Sequence, residues 1–140
     1  MMNGSGESCG FQEVAHTADR ALNLWAGRLD GLFVQAAAGM YYLLDIRLQK
    51  DSPIITKISL VETDPETMLV AFLSELLYYL EHDRAAFDQI QVQIENGHLE
   101  AKLSGGRVIA QSKEIKAVTF HNLKIEQNGD RFETTIVFDV

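Results

Sequence analysis

Four short polar features in this chain carry residue types able to do chemistry, and each sits at the edge of an apolar segment. They are His16-Thr17-Ala18-Asp19, Lys116 at the mouth of Ala117-Val118-Thr119-Phe120, His121 within that same run, and the closing Phe138-Asp139-Val140. The last segment alternates Phe132, Thr134, Ile136 and Phe138 with Glu133, Thr135, Val137 and Asp139, so it reads as a strand up to its final residue. A strand stopping there would hold the Asp139 carboxylate and the α-carboxylate at a fixed spot. With Asp19 nearby, three oxygen-bearing groups would converge, a donor set suited to Ca²⁺ or Mg²⁺ rather than Zn²⁺. Each residue also has an ordinary reading. An Asp after a strand is more often a turn or cap residue, and a terminal Asp is more often solvated. A lone His16 is more often a hydrogen-bonded structural histidine than a base. A lysine such as Lys116 commonly guards a sheet edge. His82 and His121 have no sequence neighbour that marks them as catalytic, and Glu75 faces away from the apolar stripe of its helix.

Several kinds of chemistry are absent from the pattern. Gly105-Gly106 reads as a turn and not a phosphate loop, and there is no G-x-S-x-G elbow, H-E-x-x-H helix or EF-hand loop. Cys9 is the single cysteine, so neither an internal disulfide nor a thiolate cluster can form, and its place in a polar tail argues against a nucleophilic role. The expectation is a protein that is not itself an enzyme. A formal charge of −8, from 20 acidic and 12 basic residues, opposes direct neutralisation of RNA phosphates and favours a cation or a basic partner protein. No run approaches the roughly 20 apolar residues of a membrane span. Without a signal-like start, the expected location is cytoplasmic.

These features need elements to position them. The Gly/Ser-rich stretch 1–10 reads as a flexible tail and residues 11–140 as one domain. Gly10 to Val14 and Ala21 to Ala26 read as strands, and Gly27 ends the second. Leu29, Leu32, Phe33, Ala36, Ala37, Met40, Tyr41 and Leu44 repeat at helical spacing. Ile54 to Val61 alternates as a strand. Asp64-Pro65-Glu66 starts a second helix with a cap, a first-turn proline and a dipole-complementing acid, and the helix should run to about His82. From Phe87 the period is two, with Asn96-Gly97 a tight hairpin turn, a further turn at Gly105-Gly106, and a strand from Arg107 to Gln111. Ala117 to Glu126 and Arg131 to Phe138 form a last hairpin around Asn128-Gly129. The fold class is α+β: two amphipathic helices packed on mostly antiparallel sheet, with a C-terminal β-meander.

Four segments in order resemble a known family. EVAHTADRALNLWAGRLDGLFVQAAAGMYYLLDI is similar to the archease opening, with its strand ending in H-T-A-D. ETDPETMLVAFLSELLYYLEHDRAAF resembles the family's second helix, KAVTFHNLKI its K-A-V-T-F-H strand, and FDV its closing D-I. The resemblance spans residues 11–140. It implies a helper of the RtcB-type RNA ligase in tRNA splicing and RNA repair, promoting the ligase's guanylylation and multiple turnover and meeting RNA only through that partner. It also implies a divalent metal site at Asp19, Asp139 and Val140, with Ca²⁺ foremost and Mg²⁺ or Mn²⁺ as alternatives. Lys116, His16 and Thr17 are implied as activation or partner residues. Arg20 departs from the small aliphatic residue usual after H-T-A-D, and a cation pointing inward there would weaken metal binding. Two other readings stand beside this one: a chaperone-like interaction module with a structural metal site, and a stand-alone metal-dependent hydrolase using His16 as base.

Overall fold

Apolar spacing sets the two helices, and their caps set where they begin and end. The structure, a computed structural model, describes residues 8–14 and 19–140. Helix α1 spans Leu29–Leu44 and buries Leu32, Phe33, Ala36, Ala37, Met40, Leu43 and Leu44 along one stripe. It ends at Asp45, whose left-handed backbone (φ 54°) turns its amide back onto Tyr41 and Tyr42. Helix α2 spans Pro65–Asp83 and buries Met68, Leu69, Phe72, Leu73, Leu76 and Leu80. Its start is the expected one: Pro65 occupies the first turn, and the Asp64 carboxylate accepts from the Thr67 amide at 2.9 Å.

That cap carries a testable pH signature. The Thr67 amide first, then its hydroxyl, holds the Asp64 carboxyl below its ordinary value of 3.8. A depressed folded-state pKa stabilises above the unfolded value and ceases to do so as pH falls through the folded one. Asp64→Ala is therefore expected to lower the melting temperature by a few degrees at neutral pH. In calorimetric scans taken into acid, the gap between variant and parent should close.

Two antiparallel sheets receive the helices. The first has strands β1 (Gly10–Val14), β2 (Arg20–Ala26), β7 (Ala117–Thr119), β8 (Glu126–Asn128) and β9 (Arg131–Asp139). Its order is β1-β2-β9-β7, with β8 also paired to β9. The second is organised on the long strand β6 (His98–Gln111), which pairs with β3 (Ile46–Leu48), β4 (Ile54–Val61) and β5 (Ala85–Glu95). Apolar faces of both sheets meet the helix stripes in a core whose largest wholly buried side chains include Phe33, Phe72, Phe87 and Phe138. The Phe33 and Phe72 rings, one from each helix, lie 5.9 Å apart. The α+β class holds, with both helices on antiparallel sheet.

Three expectations need correction. Gly105-Gly106 is not a turn: β6 runs through it unbroken. A Cβ on Gly105 would collide with the Ala86 carbonyl oxygen and Phe87 Cα, and one on Gly106 with the Gln49 carbonyl oxygen. The glycines mark neighbouring backbone crowding β6 beside a bulge between Phe87 and Gln89 in β5. Secondly, the expected strand from Ala117 to Glu126 is split into β7 and β8 by the segment 120–125, so His121 sits in a turn past the end of β7. Thirdly, the three-residue strand β3 was not foreseen, being too short to show a period. Asn96-Gly97 does form the tight hairpin turn, with φ of 52° and 75° and Glu95 opposite His98. Among the described residues, no helix is long and apolar enough to cross a membrane.

Candidate functional site

Strand β9 is flanked on both sides at its C-terminal end, and this brings chemistry from three distant segments to one place. On one side β2 pairs with it through Arg20↔Phe138, leaving Asp19 one residue beyond that step. On the other side β7 pairs with it through Ala117↔Asp139. The Lys116 amide donates to the Asp139 carbonyl at 2.7 Å, so the chain enters β7 directly beside Asp139. Asp19, Asp139, Val140 and Lys116 therefore gather at one end of the first sheet. Asp19 is half-buried, whereas Lys116, Asp139 and Val140 are exposed. Packing on the other face explains why this end is well defined: Phe138 is completely buried, and alternation turns Asp139 the opposite way.

Arg20, the one departure that threatened a cation site, is committed elsewhere. Its Nε and Nη2 meet both oxygens of Glu13 at 3.0 and 3.1 Å, and its Nη1 donates to the Leu43 carbonyl at 2.7 Å. That carbonyl belongs to the last turn of α1, where the helix dipole favours a cation. Since Arg20 pairs with Phe138, it shares that residue's face of the sheet, while Asp139 takes the other. The guanidinium thus fastens α1 to β1 and β2.

His16 and Thr17 lie outside the described residues. His121 is placed beside β7: its amide donates to Thr119 Oγ1 at 3.2 Å, and Thr119 Oγ1 in turn donates to the Val137 carbonyl at 2.9 Å. The 120–125 segment is tied down from two directions. Thr134, a buried polar residue of β9, donates to the Lys124 carbonyl at 2.8 Å, and the Ile125 amide donates to Glu66 of α2 at 2.8 Å. Glu66, read as a dipole-complementing acid, thus also anchors a loop.

Sequence reasoning missed the groove that leads to Lys116. The end of α2 and the segment 112–116 enclose about 760 Å³, lined by Leu80, Glu81, Arg84, Gln111, Lys113 and Lys116 among others. Arg84 donates to Gln111 at 3.0 Å, and Gln111 donates to the Lys113 carbonyl at 2.8 Å, so hydrogen bonds link three of the lining residues. No sequence signal distinguishes these residues from solvated surface. Among the described residues, no group of three or more His, Cys, Asp or Glu side chains is assembled to hold a metal ion. The expected trio is of another kind: two carboxylate side chains and main-chain oxygen of Val140, an oxygen-only set whose chemistry fits a hard divalent cation.

A second polar constellation, on the second sheet, resembles a hydrolytic triad in composition only. Glu100 Oε2 lies 2.5 Å from both Ser59 Oγ and His98 Nε2, and Ser59 Oγ lies 3.1 Å from that same nitrogen. A working triad uses both ring nitrogens, one towards the nucleophile and one towards the acid. Here Ser59 and Glu100 both crowd the same His98 nitrogen on an open surface, which makes an exposed cross-strand cluster.

Comparison with known proteins gives one consistent picture. The model of the "Archease protein family (MTH1598/TM1083)" matches residues 11–140. The chain is 30% identical over 139 residues to a protein archease of Methanosarcina acetivorans, covering 93% of this chain and 95% of that one. It is 28% identical to an archease-like protein of Dictyostelium discoideum, covering 98% and 97%. Among solved structures, it is similar to a Thermotoga maritima protein described as an archease and possible chaperone, with a TM-score of 0.71, 24% identity, and coverage of 92% and 96%. It is also similar in fold to protein 1598 of Methanobacterium thermoautotrophicum, with a TM-score of 0.69, 20% identity, and coverage of 94% and 99%.

Proposed function

This chain belongs to the archease family, and from that premise we propose that it activates an RtcB-type RNA ligase by presenting a divalent cation at the end of its first sheet. One observation carries the reading. Strand β9 ends between β2 and β7, which puts Asp139 beside Lys116 and, one step past the Arg20–Phe138 pair, level with Asp19. In this reading Asp19, Asp139 and Val140 supply oxygen ligands. Ca²⁺ fits them best because it tolerates irregular oxygen shells, with Mg²⁺ and Mn²⁺ as alternatives. The cation supplies positive charge near phosphate chemistry. The chain's own part is to hold the two carboxylates apart from Arg20, and to place Lys116 where its ammonium meets a phosphate or an acidic group of the ligase. His16 and Thr17, three and two residues before Asp19 in sequence, are part of the same proposed activation set.

The acidic balance supports action through a partner. With a net charge of −8, the protein is poorly suited to hold RNA itself, whereas a ligase that binds RNA offers basic surface. The working location in this reading is the cytoplasm, and the protein catalyses no step alone.

The test is single-turnover guanylylation of an RtcB-type ligase with GTP and divalent cation, with and without this protein. Stimulation at substoichiometric amounts is the expected result, together with no measurable RNA binding by the isolated protein. An unchanged ligase would remove the activator reading. Protection of the ligase from aggregation without faster guanylylation would favour a chaperone-like module instead.

A further inference from the structure

Between α1, β3 and the start of β5 lies a cavity of about 460 Å³ that the packing leaves unfilled. Helix α1 gives its wall Val34 and Tyr41, β3 gives Ile46 and Leu48, and β5 gives Phe87 and Ile90. That volume and a mostly apolar wall suit a small-molecule site, which typically encloses roughly 300–1,000 Å³. The β5 bulge also belongs to the wall: Asp88, which the bulge leaves out of the ladder, lines the cavity.

Tyr41 sets the chemistry of the interior. Its hydroxyl is the one buried side-chain polar atom, among the described residues, that has no hydrogen-bond partner. The Phe87 backbone lies near it but outside hydrogen-bonding geometry. Burial pushes the phenol's pKa up from 10.0, so it stays a neutral O–H donor. An orphaned buried donor lowers stability, and a phenylalanine would fill the same wall without that loss. The oxygen is therefore explained by an acceptor that enters the cavity. Phe87, its backbone neighbour, begins the bulge, where the interrupted ladder leaves the wall free to yield to that acceptor.

The rim sets the charge. Arg47 and Lys50 both border the cavity. Lys50 pairs with Asp88 at 3.1 Å, whereas among the described residues Arg47 enters no ion pair. Two cations against one carboxylate make this rim locally positive in a chain whose net charge is −8. An unpaired guanidinium beside an apolar slot suits an anionic head on an apolar body.

We propose that this cavity binds a small amphipathic anion: an aromatic or alicyclic body that presents an acidic group to Arg47 and an acceptor oxygen to the Tyr41 hydroxyl. The site involves neither the cation nor the ligase, so its success or failure is independent of the activator reading.

Two fluorescent dyes test it. Dansylglycine joins a naphthalene body to sulfonyl oxygens and a free carboxylate, and dansylamide lacks only the carboxylate arm. Dansylglycine should bind the full chain saturably at one site, ~10-fold more tightly than dansylamide. Arg47→Gln should remove that preference. Ala38→Trp, at an exposed position of α1 on the cavity wall, should block both dyes with circular dichroism unchanged. Tyr41→Phe should weaken both dyes several-fold, yet leave the melting temperature of the dye-free protein equal or higher. Absence of saturable binding, or binding indifferent to Ala38→Trp, overturns the site. Equal affinity for the two dyes overturns the anionic ligand. A melting temperature lowered by Tyr41→Phe would show the hydroxyl already satisfied, by backbone or a resident water, and overturn its role as the ligand's donor.

Discussion

Asp139→Ala is expected to abolish most of the stimulation of ligase guanylylation and with it the thermal stabilisation conferred by Ca²⁺. Both effects follow from the proposed site, in which Asp139 provides an oxygen ligand at the strand end flanked by both β2 and β7. A cation that binds the folded state alone raises the melting temperature in proportion to the logarithm of its concentration. The variant should show no such rise. The fold itself should survive, because the Asp139 side chain is exposed and its bond to Lys116 uses the main chain. Lys116→Ala should behave differently. It too should lose most stimulation, since the ammonium is proposed to meet the ligase or its phosphate, but it should keep cation binding and the thermal shift. Melting curves with and without Ca²⁺, run beside single-turnover guanylylation, separate the two residues. Full stimulation by either variant would take that residue out of the mechanism. A Ca²⁺ shift retained in Asp139→Ala would move the cation site elsewhere.

Gly105→Val is expected to unfold the domain or to lower its stability by about 3 kcal/mol or more. A Cβ at this position meets the Ala86 carbonyl oxygen and Phe87 Cα, both backbone atoms that cannot rotate away. Overpacking a core usually costs about 1–3 kcal/mol, and a clash with fixed backbone lies at or above the top of that range. A small domain has only about 5–15 kcal/mol to lose. Urea titration followed by circular dichroism should show a midpoint far below that of the parent, with Gly129→Ala as a control. Gly129 has open space around it, and its φ of 68° predicts only the modest cost of a strained turn. Equal midpoints for Gly105→Val and the parent would mean that β5 can withdraw from β6, contrary to the close approach seen here.

Local periodicity determined much of this protein. The stripes of α1 and α2, the Asp64-Pro65 start and the Asn96-Gly97 hairpin were legible, because each depends on contacts within a few residues along the chain. Glu75 was correctly placed on the solvent side of α2 for the same reason. The chemistry of Asp19, Lys116 and Asp139 was visible as residue type, and the family resemblance joined them into one set.

Pairing partners were a different matter. A period-two pattern states that a segment has an inside and an outside, but not which strand lies beside it. The last strand looked like half of a terminal hairpin, and its pairing with β8 does make one. Its decisive neighbour is β2, reached across a sequence gap that the Thr135–Asn23 hydrogen bond measures at 112 residues. Only burial of Leu22, Leu24, Ile136 and Phe138 against the helices selects that partner. The same limit explains Gly105-Gly106. Glycine pairs serve tight turns and close backbone approaches equally well, and the sequence alone does not reveal that β5 and Gln49 crowd this point. Arg20 shows the limit for a single side chain. Its type warned of a cation beside the site, and tertiary structure turned it to Glu13 and the Leu43 carbonyl, because the face a strand residue occupies is decided by what that face must cover.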